Sequence, residues 1–364
     1  MREPMVMRLA GLHSPKGWLL FALLSAAVLI LVPVLNRVVP PESFFYMPNW
    51  MLTLMGRFLC LALVALALDL IWGYTGILSL GHGAFFAIGG YAMGMHLTRN
   101  THDEGSVPNF IQFLGMSDWP WFWAPFEYFW ATALLVVLAP GLLALVFGFL
   151  AFRSRVRGVY FAIITQALTF ALMLLFFRTE TGLGGDTGLT NFQEVLGFSL
   201  RSPDARLTLY LLSGVVLILA YLLCRFIVTS KLGRVLTAIR DAENRVRFTG
   251  YNPLRYKLFV WTFSAMLCGV AGALYVPQTG VINPGEMAPA VSIEMAVWVA
   301  LGGRGTLVGA LAGAGIVNGA KSWFTAAYPE LWLFFLGALF IFVTLFLPKG
   351  VVGLFDRFRK EKRS

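Results

Sequence analysis

Ten apolar stretches dominate this sequence, at residues 17–35, 51–72, 75–97, 129–151, 158–177, 207–228, 257–277, 290–302, 306–323 and 331–348. A helix needs about 20 mostly apolar residues to cross the hydrocarbon of a bilayer, and most of the stretches approach or reach that length. Of 364 residues, 58% are hydrophobic and 13% charged, against roughly 25% charged in ordinary soluble domains. A water-soluble fold of this size cannot hide so much apolar surface, so lipid must cover the rest. The expected fold is all-α, a polytopic integral membrane helical bundle of about 8–10 transmembrane helices. Stretch 290–302 is too short to cross comfortably. A half-span or re-entrant segment fits it, and such a segment is tolerated only where protein or a cavity surrounds it.

The net charge of +10 invites a nucleic-acid reading, which the placement of the charges excludes. Lys and Arg fall in short segments between apolar runs, as on the cytoplasmic side of a membrane protein. With both termini cytoplasmic, ten crossings put 1–16, Arg153-Ser-Arg155-Val-Arg157, loop 229–256 and the tail 349–364 inside. These are the basic pieces. Loops 98–128 and 178–206 carry Asp103, Glu104, Asp118, Asp186 and Asp204 and fall outside. The chain thus divides into a cytoplasmic segment 1–16, a transmembrane body 17–348 with the cytoplasmic loop 229–256, and a basic tail 349–364. Arg2, Arg8 and Lys16 before the run 17–35 resemble a signal peptide's opening. That run exceeds the 7–15 residues of a signal core, so it is expected to be the first span.

Cys60, Cys224 and Cys268 sit in separate apolar runs without metal-binding spacing, and are expected to be core residues. Trp119, Trp121, Trp123, Tyr128 and Trp130 crowd one loop end, which suits an interfacial belt or, more sharply, an aromatic site. No His-Glu-x-x-His and no Walker A loop occurs; Lys321-Ser322 follows Ala320 instead of glycine. The chain is not expected to be an enzyme or to need a cofactor or metal, so ATP-driven transport would require another subunit.

Three features bear on function. Glycine clusters at 73–94 and 302–319, either for close helix packing or to loosen helices around a central route. In the loop beginning at Lys231, Leu232, Val235, Leu236, Ile239, Ala242 and Val246 form one apolar stripe, with Arg234, Arg240, Asp241, Glu243 and Arg247 mainly off it. Gly250 and Asn252-Pro253 end this helix. Its apolar face needs a cover, the membrane surface or a docked protein. Ionisable groups also fall in spans: Asp69, His82, Glu294 and Arg57. Such groups are costly there and point to a pathway or a partner. Asp69 and Arg57 lie near span ends, where snorkelling is cheap.

Several stretches carry a resemblance. They are Asp69-Leu-Ile-Trp-Gly-Tyr-Thr-Gly through Gly81-His-Gly to Tyr91, Tyr160-Phe-Ala-Ile-Ile-Thr-Gln166-Ala-Leu, Asn283-Pro-Gly-Glu286 with Ser292-Ile-Glu294, Val299 to Gly309, and Phe346-Leu-Pro-Lys-Gly350. Over about residues 50–355 the chain resembles permease subunits of branched-chain amino acid-type ABC importers, and within them the urea permease branch. Asp69, where the broader family usually has an amide, and Trp72-Gly-Tyr favour that branch. Asp186 and Thr187 depart from the asparagines expected there.

The resemblance implies a bacterial inner-membrane permease that pairs with a second, homologous permease. It implies two cytoplasmic ATP-binding subunits and a periplasmic solute-binding protein as further partners, besides the bilayer. The segment Leu232, Leu236, Ile239, Arg240, Asp241, Ala242, Glu243 and Gly250 is similar to the family's ATPase-coupling loop. Asp69, His82, Gln166 and Glu294 become candidates for the translocation pathway. Urea is the expected solute. Branched-chain amino acids or short amides carried by the same machinery, or a self-sufficient channel or secondary transporter, are the rivals.

Overall fold

A computed structural model describes residues 12, 14–102, 106–116, 118–156, 158–346 and 350–353. Most of the expected N-terminal segment and basic tail lies outside the described residues, as do Asp103, Glu104 and Arg157. Apart from one four-residue turn at Asn109–Gln112, the α-helices are α1 (Pro15–Arg37), α2 (Asn49–Thr75), α3 (His82–Thr101), α4 (Phe129–Arg153), α5 (Val159–Phe177) and α6 (Pro203–Thr229). They continue with α7 (Lys231–Phe248), α8 (Pro253–Thr279), α9 (Pro289–Gly302), α10 (Val308–Ala327) and α11 (Trp332–Phe346). The chain is a polytopic helical membrane protein. Among the described residues, six helices (α1, α2, α4, α5, α6 and α8) are long and apolar enough to cross a membrane.

Local sequence explains many helix ends. Proline occupies the first turn of α1, α6, α8 and α9, where its missing N–H costs nothing. Ser14, Ser202 and Asn252 cap three of these starts, accepting from the amides of Gly17, Ala205 and Leu254. At the other end, Gly76 and Gly280 stop α2 and α8 in the left-handed conformation, at φ 74° and 77°.

Helix α2 is the axis of the bundle. Every residue from Ala62 to Ile71 is buried, as expected of a helix apolar all round. It packs against α6, α8 and α10, and α8 also packs against α3 and α4. The α3–α8 seam is tight because added Cβ atoms at Gly89 or Gly272 would collide with the backbone of Gly269 or Phe86. In this seam the packing role of glycine holds. The outer faces stay apolar: Leu134, Leu142, Ile163, Leu174 and Leu219 are exposed. The three cysteines are buried and free.

Two crossings are broken. Stretch 75–97, expected as one helix, is not: α2 runs on to Thr75, residues 77–81 are non-helical, and α3 starts only at His82. Apolar composition cannot separate extended chain from helix when both are wrapped in protein. Likewise residues 281–288 run from β4 (Val281–Ile282) through a short 3₁₀ turn at Pro284–Met287 into the 14-residue α9. The helix is as short as 290–302 implied. β4 pairs antiparallel with β1 (Leu189–Thr190), Leu189 opposite Ile282, and β2 (Glu194–Val195) pairs with β3 (Phe198–Ser199). The aromatic loop is divided: Trp123 is buried beside Trp119, whereas Trp121, Tyr128 and Trp130 are exposed.

Candidate functional site

The start of α3 lies deep in the bundle. His82 is fully buried, its Nδ1 3.0 Å from Ser79 Oγ and its Nε2 2.8 Å from Ser264 Oγ. Ser264 Oγ donates its only proton to Ala67 O. His82 Nε2 must therefore donate to Ser264, leaving Nδ1 to accept from Ser79. Ala67 stands eight residues before the end of α2 and Ser264 eleven into α8, roughly 12 and 16 Å from that end of the bundle. Both residues therefore lie well inside the bundle, two or more helical turns from its end. Ser79 also accepts from the Gly81 amide, and Thr165 of α5 accepts from the Leu80 amide, so the non-helical backbone is held by hydroxyl groups.

The second broken crossing meets the first here. A Cβ on Gly83 would lie 2.8 Å from Ser292 Oγ of α9 and 3.0 Å from Glu286 O. Helix α5 packs against α3, α9 and the 284–287 turn. Each of these three helices carries buried polar atoms with no hydrogen-bond partner among the described residues: Tyr91 Oη on α3, Gln166 Oε1 on α5, and Ser292 Oγ and Trp298 Nε1 on α9. All are neutral. The two buried carboxylates in spans, by contrast, are engaged. Glu294 accepts from Lys321 Nζ at 2.8 and 3.1 Å. Asp69 accepts from the Gly305 amide at 2.6 Å and the Leu307 amide at 2.9 Å.

Asp69 is thus not a snorkelling residue but fully buried. It satisfies amide donors at the start of α10, where a carboxylate also suits the positive helix end. Gly73, one turn on, lets loop 303–307 lie against α2, for its Cβ would sit 2.6 Å from the Gly305 backbone. The Arg304 guanidinium stacks over Trp72, 5.5 Å from the ring centre. Arg57 is bonded from Nε and Nη2 to Gln278 O at 3.1 and 2.9 Å.

Helix α7 lies across the end where α2 stops and α8 begins. Its apolar stripe is real, but the chain itself covers it: Leu236, Ile239 and Val246 are buried, and Leu232 packs on the same core. The stripe therefore needs neither lipid nor a docked protein. The face turned outward is polar, with Lys231, Arg234, Asp241, Asn244 and Arg245 exposed. At Ala242 the helix breaks (φ −156°, ψ 69°). Arg240 Nη1 donates to Gly73 O at 2.8 Å, capping the α2 terminus, while its Nε donates to Asp241. Beyond the break, Glu243 accepts from Arg247 at 2.9 Å and from buried Lys257 of α8 at 2.7 Å. A cavity of about 240 Å³ lies under this junction, bordered by Gly76, Phe161, Ile239 and Lys257. Gly250 ends the segment at φ 84°.

Of the four pathway candidates, Gln166 on α5 has its Oε1 without a hydrogen-bond partner among the described residues. His82, Asp69 and Glu294 are each occupied by neighbours. Sequence reasoning passed over Tyr91, Ser292 and Trp298. Ser292 stood in a quoted motif, and a lone hydroxyl in an apolar run beside a glycine-rich break was the available signal.

Interrupted helices that meet deep in the bundle, beneath a polar-faced surface helix, are an arrangement that suits a membrane transport subunit. The chain belongs to the family of permease components of branched-chain amino acid transport systems, whose model matches residues 50–344. It is a permease of ABC importers, and its relatives in this family are transport subunits. It is 24% identical over 314 residues to the high-affinity branched-chain amino acid transport system permease protein LivM of Salmonella typhimurium, covering 80% of this chain and 67% of LivM. It is 26% identical over 307 residues to the permease protein LivH of Escherichia coli, covering 80% of this chain and 91% of LivH. The fructose import permease protein FrcC of Rhizobium meliloti is 26% identical over 202 residues, covering 53% of this chain and 56% of FrcC. No solved structure matches the chain.

Proposed function

We propose that this chain is one permease of an importer for urea or a similarly small neutral amide in the bacterial inner membrane. The observation that carries the reading is the set of unpartnered neutral groups on α3, α5 and α9: hydroxyls at Tyr91 and Ser292, an indole N–H at Trp298 and an amide oxygen at Gln166. A buried polar atom without a partner is costly. An amide supplies N–H donors and a carbonyl acceptor that answer this set, while no fixed charge is needed. In this reading His82 and Asp69 hold the broken crossings in place, and Gln166, Ser292 and the Glu294 region line the route.

A second homologous permease completes the transport unit. Two ATP-binding subunits dock in the cytoplasm on the polar face of α7, and a periplasmic binding protein delivers the solute. Closure of the ATPases then pulls on α7, and the Arg240–Gly73 and Asp69–Leu307 contacts pass that movement to α2 and α10. Branched-chain amino acids form the second reading, favoured by the names of the LivM and LivH relatives. Uptake of labelled urea and labelled leucine by the reconstituted complex separates the two. ATP-dependent urea uptake, unaffected by excess leucine, is expected; leucine uptake alone would overturn the proposal.

A further inference from the structure

At the end of the bundle opposite α7, a cavity of about 580 Å³ opens between the starts of α2 and α6 and the end of α8. Its border includes Arg57, Arg201 and Arg206 and no acidic residue. The side chains of Arg201 and Arg206 make no hydrogen bond or ion pair with any described residue. Asp204, the acid nearest to them in sequence, is bonded to Arg37. Arg57 is the third cation, and it is pre-oriented: Nε and Nη2 are tied to Gln278 O, which leaves Nη1 uncommitted.

This grouping works against the local field. Arg201 precedes the N-terminus of α6, which begins at Pro203, Arg206 lies in its first turn, and a helix N-terminus is itself positive. Three cations and a positive helix end around one cavity repel one another unless an anion shares the space. The cavity falls within the range of about 300–1,000 Å³ usual for ligand sites. Its walls also contain Leu54, Phe192 and Leu209, with Trp50 at the rim, so an amphiphile with an anionic head can be accommodated.

We infer that this cavity is a binding site for a phosphate-type oxyanion, held by Arg57, Arg201 and Arg206, the phosphate coming from an anionic phospholipid headgroup or from solution. Arginine suits it because its planar fork meets phosphate oxygens two at a time. The cavity adjoins the start of the second broken crossing at Gly280, and the inference does not rest on the identity of the transported solute.

The test uses the full chain purified in uncharged detergent. Native mass spectrometry reads retention of phosphatidylglycerol against phosphatidylcholine, and thermal unfolding reads stabilisation by inorganic phosphate against chloride at equal ionic strength. Arg201→Gln/Arg206→Gln alters only side chains that the fold does not use, so it keeps the structure. Arg57→Gln is the second variant, and Lys231→Gln/Arg245→Gln, on α7, is the control. Expected is preferential binding of phosphatidylglycerol, weakened about tenfold or more in the double variant and unchanged in the control, since a charge-assisted hydrogen bond is worth about 1.5–3 kcal/mol. Phosphatidylglycerol retained without any effect of inorganic phosphate assigns the headgroup source. Phosphate stabilisation without lipid preference assigns the solution source. Equal binding by wild type and double variant, no binding of either probe, or a response only to an acidic protein partner overturns the site.

Discussion

The carboxylate of Asp69 and the amide of Leu307 are joined at 2.9 Å across 238 residues of sequence, with the Gly305 amide on the other carboxylate oxygen. Leu307 sits at φ 50°, an uncommon conformation that this contact fixes. Asp69→Asn keeps one acceptor but turns an NH₂ group toward an amide N–H. A loss of about 1–3 kcal/mol is expected, seen as a lower unfolding temperature of the detergent-solubilised protein. An unchanged melting temperature would show that the bond contributes nothing.

Close approach of α2 to loop 303–307 depends on the missing side chain at Gly73. Gly73→Ala puts a methyl 2.6 Å from the Gly305 backbone, which backbone cannot yield cheaply. The expected cost is about 1–3 kcal/mol, with loss of transport by the assembled complex. Gly315→Ala, on α10 where a Cβ meets open space, is expected to leave the stability of the isolated chain unaltered. Unfolding of the two variants side by side tests whether contact geometry, and not helix propensity alone, decides the outcome.

Arg240 bridges Asp241 on its own helix and Gly73 O on α2. A lysine retains the charge but not the two-point geometry. Arg240→Lys is therefore expected to insert and assemble normally while ATP hydrolysis proceeds with reduced uptake, by roughly tenfold for one charge-assisted hydrogen bond. The ratio of solute moved to ATP hydrolysed, measured in proteoliposomes, is the relevant quantity. An unaltered ratio would remove Arg240 from the transmission route.

Much of this architecture can be read along the chain, because hydrocarbon length and apolarity act locally. Each of the ten apolar stretches contains a helix, and the shortness of 290–302 announced the 14 residues of α9. What composition cannot show is which apolar segment is extended: residues 77–81 are as apolar as a helix, and their backbone is held by the segment's own Ser79 hydroxyl and by the distant hydroxyl of Thr165. The stripe Leu232–Val246 shows the same limit. Periodicity correctly gave an apolar face, but its cover proved to be the chain's own bundle. Asp69 stood out as costly in a span, yet its partners lie in a loop more than 200 residues away, beyond any local pattern.

Ser292 tests the proposed route most directly, since stability and transport are expected to part company there. Its hydroxyl is buried, 1% exposed, and bonds to no described residue. Ser292→Ala breaks no bond within the protein and relieves an unpaired group, so stability should hold within about 0.5 kcal/mol or rise. If a solute amide is the missing partner, the KM for urea should climb about fivefold to tenfold, the equivalent of one neutral hydrogen bond. Gly83 lies against the same hydroxyl, and the methyl of Gly83→Ala, 2.8 Å from Ser292 Oγ and 3.0 Å from Glu286 O, should lower stability and uptake together. A Ser292→Ala complex that is less stable yet transports urea with unchanged KM would place the hydroxyl in the packing of α9 against α3 and remove it from the route.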